Sequence, residues 1–70
     1  MAQKDLRHVQ TAARRLEKAR AGLRDAILAA SRSGESVRDI AVFAGLSRSR
    51  VGELLTEARE LERRRERDEG

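Results

Sequence analysis

An all-α chain is predicted by three observations on these 70 residues. Apolar residues recur at three-four spacing from Leu6 to Ala30. Helix start and stop signals cluster between Ser33 and Ser47. A second apolar stripe then runs from Val51 to Leu61 with nothing in the sequence to interrupt it. The expected architecture is a single helical domain over 1–70: a long helix over 3–31, two helices joined by a tight turn over 36–58, and a charged helix end over 59–70. Seventy residues leave no room for a second independent core.

The first helix is defined by Leu6, Val9, Ala13, Leu16, Leu23, Ile27 and Ala30. A parallel row of Ala12, Ala19 and Ala26 makes this face broad but shallow, suited to close approach of another helix. Arg20 interrupts the main row, and its stem is expected to carry the charge out to solvent. Gly22 costs about 1 kcal/mol against Ala in a helix interior and is read as a bend or a close crossing. Gly34 is expected to end the helix in the left-handed conformation.

The second helix is expected from Val37 to Phe43. Ser36 caps it, and Asp39, three residues on, faces the positive end of the helix dipole in a near-capping-box arrangement. Ala41 is small enough for the next helix to cross closely, and Gly45 supplies the positive φ of the turn. Ser47 caps the third helix, which starts at Arg48 and is expected to run for about 17–20 residues, roughly 25–30 Å. Leu46 and Val51 are read as packing into the angle between the two helices, with Phe43 as core beneath the turn. Beyond Leu61 the run ERRRERDEG has no apolar residue. It reads as a solvated, fraying helix end, with Glu60–Arg64 and Glu62–Arg65 as exposed ion pairs.

In the order Ala41, Gly45, Leu46, Ser47, Val51, Leu54, this stretch resembles the helix-turn-helix of bacterial and phage repressors, resolvases and transposases. The likeness covers about a third of the chain. It implies sequence-specific binding of double-stranded DNA, with the N-terminal part of the second motif helix in the major groove. Ser47, Arg48, Ser49, Gly52 and Glu53 are then the outward candidates, with Thr56 one turn further. Arg48 is the first choice for a base reader, since a guanidinium bonds guanine O6 and N7 together. Arg50 is assigned to backbone phosphate, and Ser47 to capping combined with a phosphate contact. Arg38, at the start of the preceding helix, and Arg32 are placed to touch the backbone. Gly52 reads nothing itself and is expected to permit close approach to DNA or to the preceding helix. Glu53 is either an acceptor for cytosine N4 or a solvated acid.

Charge agrees with that placement. Sixteen basic and twelve acidic residues give a net +4. Residues 1–52 carry eleven Lys/Arg and five Asp/Glu, a net of +6, whereas residues 53–70 carry five and seven, a net of −2. A polyanion would therefore dock on the first helix and the motif. Fourteen of the sixteen basic residues are Arg, a bias that GC-rich codons also produce, and the composition suits an actinobacterium or its phage. Arg14, Arg15 and Lys18 lie off the apolar rows and read as a solvated face. His8 reads as a surface residue beside Asp5.

Other classes find little here. Without Cys and with His8 as the single histidine, the chain offers no disulfide, no thiolate metal site and no catalytic pair, and there is no glycine-rich phosphate loop. No enzyme activity, metal or cofactor is implied. The absence of a signal-like or membrane-spanning run makes a cytoplasmic location the expectation.

Both long apolar stripes, Leu6 to Leu16 and Leu55 to Leu61, outlast the motif they cover. They pack either on each other or on a second protomer. A homodimer is favoured because a small core is marginal alone, and because two-fold operators need two motifs. The functional reading is a small dimeric transcriptional regulator, or a recombination or plasmid accessory factor. The rival is a protein-interaction module whose long Ala-rich first helix pairs with a partner's helix. A hybrid of the two would bind DNA and also hold a protein partner through that helix.

Overall fold

The computed structural model describes residues 2–69, so the two ends of the expected domain, residues 1 and 70, lie outside the described residues. Three helices follow in order: α1 (Ala2–Arg32), α2 (Val37–Ala44) and α3 (Arg48–Glu69). The fold is all-α, a long first helix followed by two shorter ones. Helix α3 has 22 residues, longer than its apolar stripe, because its charged end continues the helix as an exposed extension.

The two connections are built alike. Each is Gly-x-Ser, Gly34-Glu35-Ser36 and Gly45-Leu46-Ser47. Each glycine takes a positive φ, 96° at Gly34 and 70° at Gly45. In the first, Gly34 N–H donates to Ser31 O at 3.1 Å and Glu35 N–H to Ala30 O at 3.1 Å. In the second, Gly45 N–H donates to Val42 O at 3.3 Å and Leu46 N–H to Ala41 O at 3.0 Å. These paired bonds satisfy carbonyls that a helix end otherwise strands, the Schellman arrangement. Each serine then caps the next helix: Ser36 Oγ accepts from Asp39 N–H at 3.1 Å and Ser47 Oγ from Arg50 N–H at 3.0 Å.

The core sits where the C-terminal third of α1 meets α2 and the first three turns of α3. It comprises Ile27 and Leu28 from α1, Ile40 and Ala41 from α2, and Val51, Leu54, Leu55 and Ala58 from α3, with Ala30 and Leu46 packed against it. Val51 is fully buried, as expected for the residue in the angle between α2 and α3. Ala41 is buried too, so the small side chain lies where the helices meet. The described structure measures 50 × 37 × 17 Å along its principal axes, and every described side chain from Gln3 to Arg20 is exposed.

Several expectations are corrected. Phe43 is 93% exposed rather than core. The spacing Val37, Ile40, Ala41, Ala44 claims one face of α2, so Val42 falls on the opposite side and Phe43 at the edge, beside Ile40 on the rim of a groove against α1. Leu55 belongs to the chain's own core and needs no second protomer to cover it. Gly22 and Gly52 mark no close crossing, since a Cβ at either would meet nothing within 4 Å, and the helices run through both unbroken. Arg20 does reach solvent, where it lies 3.8 Å from Glu17.

The charged end also pairs differently. Glu60 accepts from Arg63 at 2.6 Å, the residue just before the expected Arg64. Glu62 bonds Arg32 of α1 instead of Arg65, with Arg32 Nη1 at 2.8 Å from Oε1 and a second bond between Nη2 and Oε2. A partner on another helix wins because a bidentate guanidinium–carboxylate fork beats a single bond along one helix.

Candidate nucleic-acid interface

The first turn of α3 owes its position to the residues beneath it. Val51, Leu54, Leu55 and Ala58 form one stripe pressed into the core, which turns Ser49, Glu53 and Thr56 to the opposite side at 100° per residue. Ser47, Arg48, Ser49, Arg50 and Glu53 are all exposed, and Gly52 is half-buried. Capping by Ser47 fixes this turn: its Oγ holds Arg50 N–H, and its carbonyl accepts from Val51 N–H at 3.0 Å.

The candidate residues divide by what holds them. Arg48 and Arg38 are exposed and make no ion pair among the described residues. Arg50 is tethered: its Nη1 donates to Glu53 Oε2 at 3.0 Å along the same helix. Glu53 therefore has a partner one turn away. Both groups are largely exposed, so water and salt weaken that tether. Arg32, expected at a phosphate, is instead engaged by Glu62. That bond raises the Arg32 pKa, and it holds the Glu62 carboxyl below the usual carboxylate range.

One cluster has no counterpart in the sequence pattern. Arg50 lies on the α1 side of α3 and shares a small hollow of 110 Å³ with Arg20 and Arg24 of α1, beside Glu17 and Glu57. Arg24 is the least exposed of the three, at 14%, with Nε 3.2 Å from Asp25 and Nη1 3.5 Å from Glu57. Nothing in the spacing of α1 relates Arg20 and Arg24 to Arg50. Only the packing of Leu28 and Leu54 into one core brings them together.

The outward face of α3 changes sign along its length. Beyond the first turn it presents Glu53, Glu57 and Glu60 around an open depression with Thr56 and Arg64. Thr56 Oγ1 donates to Gly52 O at 3.0 Å, which occupies the hydroxyl proton. A polyanion lying along this whole helix would meet carboxylates, whereas one approaching its N-terminal end meets Arg48, Arg50 and the first-turn amides.

Among the described residues no group of three His, Cys, Asp or Glu side chains is arranged to hold a metal ion. No described helix is long and apolar enough to cross a membrane. The chain matches no known family model, curated protein or solved structure.

Proposed function

We propose that this chain binds double-stranded DNA through α2, its turn and the first turn of α3, as a small transcriptional regulator or a recombination or plasmid accessory factor of the cytoplasm. The observation that carries the reading is the exposed positive charge at the start of α3, with carboxylates along the next turns of its outward face. Arg48 reads a base edge in the major groove, and Gly52 lets that turn approach the groove floor. Arg50 and Arg38 anchor phosphates on either side, and Ser47 supports the helix end that faces the backbone. Glu53 releases Arg50 when a phosphate competes for the guanidinium. Two copies acting together read a two-fold site.

A second reading has its own support: the exposed apolar stripe of α1 suits a protein partner, and it fits an adaptor or a hybrid of DNA binding and protein capture. The test is selection of bound sequences from random duplex DNA. Enrichment of a defined motif is the expected result. Recovery of no duplex above background would move the assignment to protein interaction.

A further inference from the structure

Helices α1 and α3 run in the same direction and in a fixed register. Arg20 and Arg24 share a hollow with Arg50 and Glu57. Arg24 Nη1 lies 3.5 Å from Glu57, and Arg32 is held by Glu62. Steps along α1 from Arg20 to Arg32 are thus matched by steps along α3 from Arg50 to Glu62. The start of α3 at Arg48 is level with the turn of α1 around Lys18. Before that level α1 continues unbroken to Ala2, so an arm of about 24 Å projects past the N-terminal end of α3. Whatever docks on that end lies alongside the arm, on the side of α1 that α3 covers further on.

That side can be named. Arg24, Leu28 and Arg32 mark it, since they meet Glu57, Ala58 and Glu62 of α3. Seven-residue steps back from Leu28 give Ala21, Arg14 and Arg7, and from Arg24 they give Glu17, Gln10 and Gln3. A drift of about 20° per heptad turns Arg14 and Arg7 some 40° and 60° off the Leu28 line, away from the apolar Leu6–Leu16 row. The projecting part of this side thus offers two guanidiniums and two amides. Its one carboxylate, Glu17, is nearest α3 and lies 3.8 Å from Arg20. Asp5 falls on the far side of the helix from Arg7. Arg7 and Arg14 are exposed and make no ion pair among the described residues.

We propose that this arm is a second contact with double-stranded DNA, in which Arg7 and Arg14 bond backbone phosphates outside the base pairs that α3 reads. The inference rests on the proposed DNA reading and extends it to a part of the chain that the helix-turn-helix resemblance does not cover. Length supports it. Arg14 and Arg7 stand about 9 and 20 Å beyond the level of Arg20 and Arg50 along α1. The major groove is about 12 Å wide, so the arm reaches past the groove that holds α3 to flanking phosphates. Charge supports it as well. Residues 3–18 carry five Lys/Arg against two Asp/Glu, whereas the outward face of α3 beyond its first turn carries Glu53, Glu57 and Glu60. A duplex seated on the end of α3 gains more by following α1 than by following α3.

The test compares two duplexes: the selected motif alone, and the motif with about ten further base pairs, one helical turn, on each side. The wild type should bind the flanked duplex at least tenfold more tightly. Arg7→Gln with Arg14→Gln should abolish that gain and lower the salt slope on the flanked duplex by about two units, one for each phosphate contact. Base preference within the motif should not change. Arg64→Gln with Arg67→Gln removes the same charge from the far end of α3 and should keep most of the gain. All four side chains are exposed, so circular dichroism melts should match the wild type. A wild type that selects a motif but gains nothing from flanks would overturn the arm contact and leave the DNA reading standing. Equal losses in the two double variants would also overturn it, by reducing the effect to net charge. A wild type that binds no duplex would overturn both. Capture by phosphatidylserine vesicles, with no gain from flanks, would overturn it and assign the arm to an anionic lipid surface.

Discussion

Arg32 and Glu62 are thirty residues apart in the chain, yet their guanidinium and carboxylate meet in a two-bond fork that ties the end of α1 to the middle of α3. The bond to Arg32 is the main reason the Glu62 carboxyl lies below its ordinary range. A carboxyl whose pKa is lower folded than unfolded contributes stability above its unfolded pKa. It loses that contribution as pH falls through the folded value. The acid limb of wild-type unfolding should therefore include a contribution from Glu62 that Glu62→Gln removes. Thermal melts from pH 7 to pH 2 check this. The gap between wild type and Glu62→Gln should be largest near neutrality and close toward pH 2. Arg32→Gln should behave likewise, and the double variant should lose little more than either single one.

The core is small enough that one truncation matters. Leu54 is buried between Val51 and Leu55 on the stripe that α3 turns inward, and Leu54→Ala should cost about 2–4 kcal/mol, lost transfer energy plus a cavity. Phe43→Ala, measured at concentrations where copies are apart, should cost less than about 0.5 kcal/mol because the ring is exposed. Chemical denaturation of both variants gives the comparison. Equal losses would mean that Phe43 is packed in the free chain.

Those two residues also show what the sequence does and does not reveal. Local features are readable: Gly34, Gly45, Ser36 and Ser47 act through their own backbone and the next few amides, and all four occupy the roles their chemistry implies. Val51 is readable because Ala41, Gly45 and Leu54 constrain where it must point. Phe43 is misplaced when size is weighed over spacing, although the Val37–Ile40–Ala41–Ala44 row already excludes it from the inner face. The Arg32–Glu62 fork and the meeting of Arg50 with Arg20 and Arg24 have no local signal. Each depends on how far along α1 the α3 helix crosses, which the core decides.

The glycines separate backbone need from packing need. Gly45 sits at φ 70°, so Gly45→Ala should destabilise by about 1–2 kcal/mol through the left-handed conformation alone. Gly52 lies inside α3 with open space where a Cβ would go, and Gly52→Ala should stabilise the fold by up to about 1 kcal/mol. If this turn enters the major groove as proposed, the same methyl should weaken duplex binding while raising the melting temperature. Melting and binding assays on one preparation test the pair. Tighter binding by Gly52→Ala would argue that no nucleic acid approaches that point.

The arginines of the first turn differ in attachment, and so should their effects when removed. Arg48 has no ion-pair partner among the described residues, whereas Arg50 must leave Glu53 at 3.0 Å to reach a phosphate. Arg48→Ala should cost about 1–3 kcal/mol on the selected duplex and relax preference at one base pair, because base-edge bonds discriminate. Arg50→Ala and Arg38→Ala should weaken all duplexes alike, each reducing the salt slope by about one unit as one phosphate is left without its guanidinium. Glu53→Gln frees the Arg50 guanidinium and removes a carboxylate from the approach face. It should therefore tighten binding to any duplex and steepen the salt dependence, the opposite sign to Arg50→Ala. Fluorescence anisotropy titrations between about 50 and 200 mM salt span the range over which phosphate bonding shows its slope. Equal affinities for all four variants across that range would exclude the first turn of α3 as the surface that meets DNA.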